Sequence, residues 1–169
     1  MKTGLSFLFI STFCLATQPH KPDLSGSWYV DKAHSTIKTT QVKNPDPDAP
    51  PAPPPPPADR VFDMMPPETI SHADSEMTIS DGNAPHLKVS TDYKENVNQL
   101  PNGAINRSKT RWEGNQLVTE WSMERNGMPL LHGSDRRSLT PDEKMLIDDR
   151  TVITAFAETH FHIVWKKKQ

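Results

Sequence analysis

The sequence predicts an all-β protein: an antiparallel up-and-down barrel of about eight strands with a proline-rich loop between strands 1 and 2. Three observations carry that expectation. Polar and apolar residues alternate with period two in a series of short segments, as on strands with one buried and one wet face. Turn residues separate the segments, at Gly82, Gly103, Gly114, Gly127 and Pro141. No long window past the leader carries an apolar stripe of helical period.

Leu24, Ser25, Gly26, Ser27, Trp28, Tyr29 and Val30 read as the first strand, and Asp31 to Ser35 could form a short turn of helix. Residues 68–72 and 76–80 read as a second strand, with an interruption near Ala73 and Asp74. Leu87, Val89, Thr91 and Tyr93 alternate with Lys88, Ser90 and Asp92 in the next. Ser108, Thr110 and Trp112 alternate with Arg107, Lys109 and Arg111. Glu113, Gly114 and Asn115 then make a hairpin connection, where glycine supplies a positive φ. Leu117, Thr119, Trp121 and Met123 share one face of the following strand, and Asn126-Gly127 makes another hairpin turn. Residues 130–139 and 145–154 continue the rhythm. In the last strand Thr159, Phe161, Ile163 and Trp165 share a face.

Two segments stand apart from the barrel. Met1–Gly4 carries one positive charge, at Lys2, and residues 5–16 are apolar or small. A short basic start before an apolar run that ends in a small residue describes a secretory signal peptide, with cleavage after Ala16. The run is too short to cross a bilayer as a helix, which takes roughly 20 residues. Export to the periplasm or the exterior follows, with residues 23–169 as a single barrel domain. Cys14, the one cysteine, follows a bulky Phe13, which fits a lipid-attachment motif poorly. Without it the mature chain has no disulfide, thiolate metal site or cysteine nucleophile. The second segment, residues 44–59, has nine of the chain's 17 prolines, between Pro45 and Pro57. Proline fixes φ and has no N–H, so the run reads as an extended loop within the barrel domain. It is either a stiff spacer or a ligand for a protein partner with an aromatic groove.

The formal net charge is −2, and basic residues are scattered except at Lys166–Lys168. A nucleic-acid partner would need a basic stripe, so none is expected. No later segment is apolar enough to span a membrane as a helix.

Gly26-Ser27-Trp28 on the first strand is similar to the Gly-x-Trp signature of lipocalins and the wider calycin group. More broadly the chain resembles small exported bacterial proteins described as lipocalin-like. The pattern comprises Asp23 to Trp28, Asp31 with Ser35, the proline-rich loop, Ile70 to Asp74, and Met77 to Ile79. It continues with Trp112 to Val118, Ser138 to Lys144, and the ending Val164-Trp-Lys-Lys-Lys-Gln169. The resemblance implies a calycin-like barrel plugged at one end by Trp28. The chain lacks the disulfide and the C-terminal helix of vertebrate-type lipocalins, so no retinoid or haem pocket is implied.

Inward-pointing Tyr93, Trp121, Met123 and Phe161 are the candidate ligand-binding residues, lining a cavity if they do not fill it. Trp28, Trp112 and Trp165 are better read as core. His160 and His162, two apart on one strand face, could share a metal ion, but His72, His86 and His132 are third ligands by residue type only. The pairs Asp74/Glu76, Asp92/Glu95 and Asp148/Asp149 have no defined separation and read as solvated loops. No nucleophile elbow, phosphate loop or HExxH stretch occurs. The expectation is therefore a non-enzymatic protein, without metal or cofactor, that binds a small apolar or amphipathic molecule inside the barrel. Two alternatives stand beside it: a filled barrel that acts through its loops, and an enzyme sited at the barrel mouth.

Overall fold

The computed structural model describes residues 21–42, 54–80 and 85–168. Residues 1–20, 43–53, 81–84 and 169 lie outside them, so the leader and the 44–53 part of the proline-rich segment are not described. Among the described residues the chain runs β1 (Gly26–Val30), β2 (Thr36–Gln41), α1 (Ala58–Asp63), β3 (Glu68–Ala73), β4 (Glu76–Ser80) and β5 (Pro85–Ser90). It continues with β6 (Asp92–Gln99), β7 (Ile105–Glu113), β8 (Gln116–Arg125), β9 (Met128–Leu139), β10 (Met145–Ile153) and β11 (Ala157–Lys167). Antiparallel pairing runs in the order β5-β4-β3-β1-β11-β10-β9-β8-β7-β6, and β2 adds to β11. The wall is a nearly closed barrel.

It has eleven strands rather than about eight, for three physical reasons. Asp74, at φ 53°, and Ser75 make a tight turn, so the expected interrupted strand is the hairpin β3–β4. The short polar strand β2 follows β1 after a turn at residues 31–35. Both strands pair with β11, β1 through Trp28↔Lys167 and β2 through Phe161↔Ile37, so they occupy one position in the wall. The break between them is stapled to β11: the Ser35 hydroxyl donates to the Asp31 carbonyl at 2.8 Å and accepts from Val164 N–H at 3.0 Å. The third addition, β6, is polar along nearly its whole length and lies at the edge of the sheet path.

That edge meets the other free edge, β5, through two side chains. The Asn98 carboxamide accepts from Lys88 N–H at 2.8 Å and donates to Lys88 C=O at 3.0 Å. Asn96 accepts from Ser90 N–H at 2.7 Å and reaches Ser90 C=O at 3.5 Å. Each carboxamide thus replaces a backbone peptide in the missing ladder. A barrel closed in this way leaves little exposed strand edge.

The ends of the barrel differ. At one end Leu24, Trp28, Leu117, Leu146, Ile163 and Trp165 pack together; Trp28 is 0% and Trp165 2% exposed. The Trp28 indole N–H donates to the Leu24 carbonyl at 3.0 Å, and the Lys167 ammonium sits 5.3 Å from its ring. Toward the other end lies α1, which begins where the proline run stops and ends before Pro66-Pro67. Pro57 keeps polyproline-like angles, φ −55° and ψ 141°. Helix residue Phe62 is buried in the core, and Lys32 pairs with Asp63 to hold the helix to the β1–β2 turn. No helix among the described residues is long and apolar enough to cross a membrane.

Candidate functional site

The side chains that line the barrel follow from strand parity. On β9, Leu131, Gly133, Asp135, Arg137 and Leu139 occupy alternate positions; on β10, Leu146, Asp148, Arg150 and Val152 do the same. Asp148 lies opposite Arg137 and Arg150 opposite Asp135 in the β9–β10 register. Four charges of alternating sign therefore form a square on the inner wall, with like charges on the diagonals.

The square is tightly connected. Asp148 Oδ2 takes Arg150 Nη2 at 2.8 Å and Arg137 Nη2 at 3.2 Å. Arg150 Nε lies at ion-pair distance, 3.1 Å, from Asp135 Oδ1 without hydrogen-bonding to it; the Trp121 indole N–H donates to that oxygen at 3.1 Å. Glu68 reaches in from β3 and lies 3.3 Å from Arg137 Nη1. Asp148 is 0% exposed. Burial pushes its carboxyl up, but the Arg150 and Arg137 guanidiniums outweigh that and hold it below the usual aspartate value. For Asp135 burial dominates: it pushes the carboxyl up, Arg150 opposes it, and the Asp148 charge adds to it. Both guanidiniums hold their protons more tightly than usual: burial works against this, and the carboxylates overcome it.

Above the square is a cavity of about 400 Å³. Its lining mixes apolar Met77, Ile79, Leu87, Val89, Met123, Leu131 and Val152 with charged Glu68, Asp135, Arg137 and Arg150. Ser108 Oγ, on the same cavity, has no hydrogen-bond partner among the described residues. Gly133 shapes the wall beside Trp121. A Cβ there would fall 2.0 Å from the Thr151 carbonyl oxygen and 2.8 Å from Trp121 Cζ2, so only glycine lets β10 and the indole come this close. A second cavity, of about 440 Å³, lies along Ile37 and Thr39 of β2 and Thr159 and Phe161 of β11. Pro54, Pro55 and Pro56 with Val61 and Met64 form its other side.

The four candidate residues separate. Trp121 and Met123 line the 400 Å³ cavity, and Phe161 lines the other. Tyr93 is on the outside, 46% exposed, with the Arg111 guanidinium 5.0 Å from its ring and its hydroxyl 3.5 Å from Glu120. The alternation that pointed it inward breaks at Thr91, where β5 turns into β6; Tyr93 itself has φ 66° beside a shift in register. His160 and His162 face outward, paired with Glu158 and Asp149. Among the described residues no group of three His, Cys, Asp or Glu could hold a metal ion. Asp148 and Asp149 are split between the two faces of the wall. The charged square was not among the sequence-predicted site residues, since a charge ordinarily marks the wet face of a strand. Its signal was there: Asp135, Arg137, Asp148 and Arg150 share the parity of Leu131, Leu139, Leu146 and Val152.

No protein-family model and no curated protein sequence matches the chain.

Proposed function

We propose that this is an exported, lipocalin-like carrier or receptor that binds a small amphipathic molecule inside the barrel without chemically changing it. The observation that carries the reading is the 400 Å³ cavity, lined by both apolar and charged side chains. A ligand with an apolar body and a polar end matches both kinds of lining at once, and concave sites with few placed polar groups are where small molecules bind. The cavities also weigh against a filled barrel. Export rests on the leader-like first residues, and the lipocalin-like assignment on the motifs from Gly26-Ser27-Trp28 onward.

A titration with N-phenyl-1-naphthylamine, a neutral apolar dye that brightens in dry surroundings, tests the reading. Saturable enhancement is expected for the protein. Val152→Phe, which fills the cavity, should reduce it while the fold persists. No saturable enhancement, or enhancement that Val152→Phe leaves untouched, would remove the cavity from the account.

A further inference from the structure

We propose that the polar end of the ligand is a cation, an amine or quaternary ammonium group seated at Asp135. This deepens the cavity-binding reading and rests on it.

The argument starts from a charge count. The square and Glu68 bring three carboxylates (Glu68, Asp135 and Asp148) against two guanidiniums (Arg137 and Arg150). Each guanidinium already meets two carboxylates: Arg137 touches Glu68 and Asp148, and Arg150 touches Asp135 and Asp148. Arg150 also lines the cavity, and Arg137 Nη1 and Arg150 Nε make no hydrogen bond among the described residues, but the count leaves no positive charge over for a new anion. One negative charge is in excess, in a place where water is scarce and charge is poorly screened. An anionic head would add to that excess. A neutral head would leave it. A cationic head cancels it.

The excess is also localised. Asp148 is enclosed between the two arginines and Glu68 faces Arg137; Asp148 Oδ1 and Glu68 Oε2 make no hydrogen bond among the described residues, but both atoms are buried out of a ligand's reach. Asp135 is 15% exposed on the cavity wall. Its contacts with Arg150 and Trp121 both fall on Oδ1, and no donor among the described residues meets Oδ2. An ammonium at Oδ2 would make a charge-assisted hydrogen bond. The Trp121 indole lines the same cavity and, by donating to Oδ1, holds the carboxylate with Oδ2 left over. The apolar lining of Met77, Met123, Leu131 and Val152 is left to the tail.

Proton linkage follows from the same geometry. The charged groups around Asp135 are Arg150 and Asp148 on β10, Arg137 on β9 and, through Arg137, Glu68 on β3. Burial favours the protonated carboxyl, so a cation must compete with that proton, and its binding strengthens as pH rises through the Asp135 titration.

The test is displacement of bound N-phenyl-1-naphthylamine from the mature chain by three ligands that share a tail: decylammonium, decanol and decanoate, at neutral pH. Decylammonium should displace the dye at about tenfold lower concentration than decanol, the scale of one charge-assisted hydrogen bond, and decanoate should be weakest. Asp135→Asn should bring decylammonium and decanol together. Equal potency of the three, or decanoate as the strongest, would overturn the cationic head and leave the cavity reading in place. Failure of the dye to bind, or of all three to displace it, would bring down both. The ranking on the unmodified protein decides the matter even if Asp135→Asn does not fold.

Discussion

Replacing Asn96 and Asn98 together by alanine should open the β5–β6 seam. Of the four contacts they make to β5, three are of ordinary length: Lys88 N to Asn98 Oδ1 at 2.8 Å, Asn98 Nδ2 to Lys88 O at 3.0 Å, and Ser90 N to Asn96 Oδ1 at 2.7 Å. The fourth, Asn96 Nδ2 to Ser90 O, is long at 3.5 Å and adds little. A net hydrogen bond contributes about 1 kcal/mol, so the pair stabilises the fold by about 3 kcal/mol. The Lys88 end is exposed and can turn to water, whereas the Ser90 end is half-buried and recovers less. The loss should therefore fall somewhat below that sum and be felt most at Ser90. Urea unfolding measures the loss, and amide hydrogen exchange locates it. In the double variant the Lys88 and Ser90 amides should exchange far faster than those of β8 and β9, which keep their ladders. Unchanged protection at Lys88 and Ser90, with stability within about 0.5 kcal/mol of the parent, would refute closure by side-chain amides.

Other variants probe the interior. Asp148→Asn should cost about 3 kcal/mol in urea unfolding, because it leaves the buried Arg137 and the part-buried Arg150 without the carboxylate between them. Trp121→Ala should abolish dye binding, whereas Tyr93→Ala should leave it intact, since that ring is on the outer face. The two interior aspartates act oppositely with pH. The Asp148 carboxyl lies below its unfolded value, so the stability it contributes is present above that value and lost as pH falls through the folded one. The Asp135 carboxyl lies above its unfolded value, so its contribution is present in acid and lost as pH rises through the folded one. In urea midpoints taken across pH, Asp135→Asn should gain on the parent as pH rises through that range; a difference independent of pH would contradict the assignment.

The strands with one apolar face, such as β8 and β11, were legible because Leu117, Trp121, Ile163 and Trp165 mark the interior with period two. β2 and β6 were not. β2 has one aliphatic residue, Ile37, and takes its place by pairing with β11. β6 carries Asn96 and Asn98 where a core residue would otherwise mark the face, since their work is to bridge the seam. Tyr93 was misplaced because parity survives only while a strand runs on, and this one turns at Thr91. Within the candidate site, Trp121, Met123 and Phe161 could be read as inward-facing. The β9–β10 charges could have been read from their parity with leucines, but a charge ordinarily marks the wet face of a strand. Glu68 could not: its contact with Arg137 joins strands far apart in the chain and depends on how the barrel closes.

The central claim is that an amphipathic molecule can occupy the interior, and methyl NMR with decanol addresses it most directly. Saturable shifts should appear at the methyls of Met77, Met123, Leu131 and Val152 and be absent at Met128, which is exposed on the outside. Shifts confined to outer methyls such as Met128 and Val97, with the four interior methyls unmoved, would contradict it.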